Sequence, residues 1–343
     1  MQDVVHSSVI AFMLLLVLLP CRVIASPQPS KSPGSEYRSW IKIINYIAIS
    51  KRGCDPAHLS VMFNHPGEGK KELFGINALD LAAQEGAFGC VRWMVTHEYT
   101  HALTRKYLGD VQPVISSAAF SRFCSVRMIR LLVKHGANPD SEGALAGAAI
   151  EGEYGCVREL IHLGANVNKP ARYYTPLMAA TTHAALTDHL RILKLFLAMG
   201  ANPNVWKKGW GSPLFSAVEL PGPHKHCAPC VQLLLHAGAD PNAIDWQGQT
   251  ALLWGLRPGY VTSVGIIHTL VRHGADVNLA DPKTGETPLM AAAALGQREV
   301  VDYLLRHGAE RCIRDDRGRT AAEYAREAHH ESLGTELACH MNP

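Results

Sequence analysis

The sequence predicts an all-α fold, a solenoid of about eight stacked helix-loop-helix units with β-hairpin tips, and two observations carry that reading. Six segments end alike: LLVKHGANPD at 131, ELIHLGANVN at 159, LFLAMGANPN at 195, LLLHAGADPN at 233, TLVRHGADVN at 269 and YLLRHGAERC at 303. Their glycines (Gly136, Gly164, Gly200, Gly238, Gly274, Gly308) stand 28, 36, 38, 36 and 34 residues apart. A period in this range marks a unit that cannot bury its apolar face alone and stacks on copies of itself. The second observation is local chemistry. Ahead of the later runs come DWQGQTALLW, DPKTGETPLMAAA and DDRGRTAAEYA, each offering an Asp, a turn glycine and a Thr before a small-residue helix.

Each element follows in order. In the first twenty-five residues, Val9 to Leu19 is an unbroken apolar run of eleven, too short to cross a bilayer as a helix but of signal-peptide length. Pro20 and Cys21 end it, and Val23-Ile24-Ala25 before Ser26 resembles a cleavage site, although MQDVVHSS at the start holds no Lys or Arg. Residues 1–25 are therefore expected to be a signal peptide, with an uncleaved anchor or a non-targeting terminus as alternatives. The Pro- and Ser-rich stretch over residues 26–36 reads as a linker. The array is expected over 37–330, most regular over 143–330, with a C-terminal tail at 331–343. Its first units, around IINYIAISKRGCDP and INALDLAAQEGAFGCVRWMV, are looser, as terminal units that cap a stack are expected to be.

Within a unit, an apolar run such as Leu233-Leu234-Leu235 lies on an outer helix that the following Gly ends in the left-handed conformation. Asn or Asp starts the turn. Thr then caps the inner helix, with Pro176 or Pro288 at its first position. TPLMAA at 175 and 287, together with GADPN and GADVN, resembles the ankyrin repeat, a helix-loop-helix unit with a β-hairpin. Met178 and Met290 stand where that family usually has His, which puts its customary hydrogen bonding between repeats in question. The resemblance implies a non-catalytic protein-protein interaction scaffold that uses the concave face and the hairpin tips of the array, with a protein as partner, a monomer and no cofactor.

Two stretches invite a chemical reading. HEYTHAL places His97 and His101 four apart with Glu98 beside the first, a zinc-binding pattern when it lies on a helix. Aligning the outer helices puts His97 in the place of Leu163 and Ala237, and also of His135, His273 and His307, while Glu98 replaces the stop glycine. A zinc-dependent hydrolase through His97, Glu98 and His101 remains the alternative function, but no third ligand stands at a recognisable spacing. In HKHCAPC, Cys227 and Cys230 offer a redox pair or a zinc clip. Cys230 shares the place of Cys90 and Cys156, where a thiol packs as a small hydrophobe. Cys227 lies in an inserted loop, and export would favour a bridge between the two.

The net charge is +3 and the Lys and Arg residues are scattered, unlike the concentrated basic face that nucleic acid requires. No membrane contact is expected beyond the N-terminal segment. Aromatic and basic residues gather at the tips: Tyr173, Tyr174, Trp206, Lys207, Lys208, Trp210 and Trp246. Such side chains dominate interface energetics, so they are the candidate partner-binding residues, with packing between neighbouring hairpins as the alternative. The N-terminal run points to the secretory pathway, the periplasm or secretion, in a scaffold that protects or assembles another protein. The cysteines, at largely core positions, suit reduced thiols and a cytoplasmic alternative.

Overall fold

The computed structural model describes residues 78–96, 114–171, 174–182, 187–207, 211–218, 227–245, 247–257 and 264–339, all of which lie in the compact unit Ile47–Pro343. Among the described residues sixteen helices form eight inner-outer pairs: α1 Ala78–Gln84 with α2 Phe88–Thr96, α3 Val114–Ala119 with α4 Val126–Lys134, and α5 Ala144–Ile150 with α6 Tyr154–His162. They continue as α7 Pro176–Thr182 with α8 Thr187–Ala198, α9 Pro213–Val218 with α10 Ala228–His236, and α11 Ala251–Gly255 with α12 Val264–Arg272. The last are α13 Pro288–Ala294 with α14 Arg298–Arg306 and α15 Ala321–Glu327 with α16 Glu331–Glu336. The stretch after residue 330 thus carries an outer helix, with Leu333 and Leu337 buried.

The core repeats as the sequence does. Met128, Cys156, Ile192, Cys230, Ile266 and Val300, each eight residues before its unit's glycine, are buried. So are Ile129, Val157, Leu193, Val231, Ile267 and Val301 one place on, and Leu132, Leu160, Phe196, Leu234, Leu270 and Leu304 three places after those. The i, i+1, i+4 spacing is the apolar stripe of a helix lying on a neighbour. Each full burial of a Leu or Ile contributes about 1.5–3 kcal/mol. The inner helices meet across small residues; Ala148, Ala149, Ala180, Ala292 and Ala293 are wholly inaccessible.

The predicted terminators hold. At Gly238, φ is +87°, and the N–H groups of Gly238 and Ala239 return to the carbonyls of Leu235 and Leu234 at 3.0 and 2.9 Å, closing the helix as a left-handed cap does. The Oγ1 atoms of Thr175 and Thr250 accept the N–H groups of Met178 and Leu253, both at 3.2 Å. Met290 fills its unusual place: its Sδ accepts the Thr287 N–H at 3.4 Å, while Thr287 Oγ1 accepts the Met290 N–H at 3.4 Å.

Two expectations change. The hairpin tips hold no extended ladder among the described residues, only the single antiparallel bridges Lys207–Gly211 and Ile244–Thr250. The reason is that the turn polar groups are drawn to side chains instead, as set out below. Nor are the cysteines thiols: all seven among the described residues are disulfide-bonded. The pairs are Cys124–Cys156, Cys227–Cys230 and Cys312–Cys339, with Cα atoms 6.4, 5.1 and 5.6 Å apart, and Cys90 is bridged as well. Cys156 and Cys230 do occupy hydrophobic places, and stacking brings Cys124 of the preceding unit to the first of them.

Candidate partner-binding tips

The tips are held in register by a ladder of asparagines. Asn204 Oδ1 accepts the Asp240 N–H of the next unit at 2.8 Å, and its Nδ2 donates to the Gly238 carbonyl at 2.8 Å. Asn168 serves Asn202 and Gly200 in the same way, Asn242 serves Asp276 and Gly274, and Asn278 serves Glu310 and Gly308. An amide is needed because each rung both accepts and donates. At the N-terminal end Asp140 still accepts the Asn166 N–H at 2.9 Å but has nothing to donate; there the Lys169 ammonium reaches Asp140 Oδ2 at 2.9 Å. At the other end Cys312 takes the asparagine's place and bridges to Cys339.

Three residues beyond the ladder positions Asn242, Asn278 and Cys312 stand the buried aspartates Asp245, Asp281 and Asp315, which close the turn. Asp245 Oδ1 accepts the N–H groups of Gln247 and Gln249 at 2.7 and 2.9 Å, and Asp315 Oδ1 those of Arg317 and Arg319 at 3.0 and 2.7 Å. Burial alone would raise the Asp315 carboxyl, but the Arg319 N–H, the Tyr324 hydroxyl, the Arg319 guanidinium and the Arg317 N–H outweigh it and hold it at about 2. Glu286 moves the other way, raised first by burial and then by the charge of Asp281. Gly248, at φ +87°, lies so close to Pro282 of the next tip that a Cβ would come within 2.4 Å of the proline ring.

Between the asparagine and this turn lies the position that faces outward. Trp206 is 47% exposed and Ile244, in the same place one unit later, is 52% exposed. They are two of the four exposed large hydrophobic residues among those described. Lys207 is half-buried, its backbone paired with Gly211 and its Nζ donating to the Ala171 carbonyl of the preceding tip at 3.2 Å. Tyr174 is half-buried, its carbonyl accepting the Ala171 N–H at 2.9 Å. Tyr173, Lys208, Trp210 and Trp246 lie outside the described residues, as do His97, Glu98 and His101. Ile244 was not singled out from the sequence because selection favoured aromatic and basic letters; its place, two after the ladder asparagine, was the available signal. An open groove of about 370 Å³ lies between α8 and α10, lined by Leu190, Lys194, Pro229, Gln232, Leu233 and His236. Among the described residues no group of three or more His, Cys, Asp or Glu is placed to hold a metal, and no helix is long and apolar enough to cross a membrane.

This repeating frame has known counterparts. The family described as ankyrin repeats (3 copies) matches residues 148–245, 177–281 and 259–342. The chain belongs to the ankyrin repeat family. Among curated ankyrin proteins, it is 30% identical over 169 residues to the ankyrin repeat protein YahD of Escherichia coli (strain K12), covering 48% of this chain and 80% of that one. It is 35% identical over 103 residues to the human cyclin-dependent kinase 4 inhibitor B, covering 30% of this chain and 72% of the relative. In structure it is similar to the human ASB11 ankyrin repeat domain, with a TM-score of 0.52 and 21% identity over 68% of this chain and 98% of that one. At that identity the likeness speaks for the ankyrin fold alone. Ankyrin repeats are protein-protein interaction modules.

Proposed function

We propose that this ankyrin array is an exported, monomeric scaffold whose hairpin tips hold a protein partner without catalysis, with Trp206 and Ile244 as apolar anchors. The observation that carries this reading is the exposure of those two side chains at equivalent places of adjoining units, on turns fixed by the Asn204 rung. A rigid frame loses little further freedom on binding, and an exposed indole buries a large area against a partner. Lys207, whose ammonium already serves the Ala171 carbonyl, acts by fixing the tip. Export is supported by the disulfides, since such bridges persist in oxidising compartments and not in a reducing cytosol, and by the apolar run Val9 to Leu19.

The test is quantitative capture from the native extracytoplasmic fraction by the full chain, set against a Trp206→Ala, Ile244→Ala variant of equal thermal midpoint. The expected result is at least a tenfold loss of whichever protein the wild type retains. Equal retention by the two proteins would refute the tip surface. Fractionation of cells expressing the chain tests its compartment; recovery with cytosolic markers, cysteines reduced, overturns export.

A further inference from the structure

Cys156 and Cys230 stand at the same helix position, each eight residues before its unit's glycine, and both are buried. Cys156 uses that position to bind Cys124, thirty-two residues earlier, across two units. Cys230 instead turns to Cys227, three residues earlier in its own chain segment. A ring this small constrains the unfolded chain least of the three described pairs and ties no unit to another. Stabilisation of the fold through loop closure is thus smallest at this pair.

We infer that Cys227–Cys230 is a redox-active disulfide, which oxidises the dithiol of a protein substrate by thiol-disulfide exchange. The pair spans the first turn of α10, a helix of nine residues, with Cys227 at the N-cap and Pro229 between the sulfurs. The Cys230 N–H donates to Cys227 Sγ at 3.2 Å. In the reduced protein that N–H and the positive end of the helix face the Cys227 sulfur, so both favour its thiolate. Both residues are buried, Cys227 with 5% of its surface exposed and Cys230 with none, so Cys227 is the one of the two nearer to solvent. Pro229 lines the open groove between α8 and α10, which leaves this turn approachable.

A substrate thiolate attacks Cys227 Sγ; the bond to Cys230 breaks, and Cys230 leaves as a thiolate that takes up a proton. The substrate's second thiolate then attacks the substrate sulfur of the mixed disulfide, and Cys227 departs as the stabilised thiolate. Two electrons pass from the substrate dithiol to the pair, and the substrate gains one disulfide. A leaving thiolate of low basicity speeds this second step and makes the pair the stronger oxidant. A low-molecular-weight disulfide such as oxidised glutathione restores the starting state by the reverse exchange. None of these steps depends on the tip surface.

The test equilibrates the full oxidised chain with graded ratios of reduced and oxidised glutathione, quenches with acid, alkylates, and reads each pair by peptide mass spectrometry. Cys227–Cys230 is expected to half-reduce at a glutathione concentration at least tenfold below that needed for Cys124–Cys156, with the helical circular dichroism unchanged. In a Cys230→Ser variant, Cys227 is expected to form a one-to-one mixed disulfide with glutathione and to alkylate with a pH midpoint below the ordinary thiol value of about 8.5. Reduction only together with or after Cys124–Cys156, or a midpoint at or above that value, overturns the inference. Should Cys230→Ser not fold, the wild-type titration decides alone.

Discussion

The indole N–H of Trp254 donates to Asp245 Oδ2 at 2.8 Å, and two units later the hydroxyl of Tyr324 donates to Asp315 Oδ2 at 2.9 Å. In both units the aromatic residue stands nine places after the aspartate, on the inner helix, and ties that helix to its tip. The Arg257 guanidinium covers the Trp254 ring at 3.9 Å and that of Arg319 covers Tyr324 at 4.3 Å. Two different aromatic residues thus build one joint.

Asp245 accepts two backbone N–H groups and the indole while buried. Replacing it by Ala strands three donors, so Asp245→Ala is expected to cost about 3 kcal/mol, against about 1 kcal/mol for Trp254→Phe, which removes one neutral donor. Urea unfolding at neutral pH measures both. Equal losses would mean that the aspartate acts only through the indole.

Asp315 is held at about 2 against an ordinary 3.8. A depressed carboxyl contributes stability that is complete above the unfolded value and is lost as pH falls through the folded one. Thermal midpoints of the wild type are therefore expected to fall between about pH 4 and pH 2 more steeply than those of Asp315→Asn, which starts lower at pH 7. Parallel curves over that range would remove Asp315 from the acid response.

Much of this was legible in the letters. Gly-Ala repeated at a fixed period, Leu four places before Gly, and Thr before Pro each specify a local geometry that does not depend on what is far away. The tips were read less well because their hydrogen bonds link residues that composition does not connect. That Asn204 completes the turn around Gly238 follows only once units stack. Ile244 is neither aromatic nor basic, and its place two after Asn242 marks it as outward only by comparison with Trp206, two after Asn204. Cys156 was read as a packed thiol because its helical place is apolar, and a sequence does not show which residue of the preceding unit stands opposite.

The ladder makes a prediction through its own exception. Asp140 stands where later units have Asn, and Lys169 supplies the charge partner at 2.9 Å. Asn242→Asp keeps the acceptor for the Asp276 N–H but loses the donor to the Gly274 carbonyl, whereas Asn242→Ala loses both. These rungs are exposed, so the expected costs are about 1 and about 2 kcal/mol in urea unfolding. If Asn242→Asp proves the worse of the two, charge at the rung rather than the lost donor controls its stability.

The bridge between Cys124 and Cys156 closes a long loop across two units, so most of its effect lies in the unfolded chain. Loop-closure entropy for a ring of this size gives roughly 3–4 kcal/mol. Replacing both cysteines by Ala also leaves a small void at the buried place of the Cys156 sulfur, which adds to the loss. Cys156→Val with Cys124→Ala refills much of that space. It is expected to recover the packing part, about 1 kcal/mol, and none of the entropic part. Denaturant unfolding of the two double variants beside the wild type separates the contributions. A Val variant as stable as the oxidised wild type would show that the bridge acts through packing alone, and equal stability of the two variants would show that the void carries no cost.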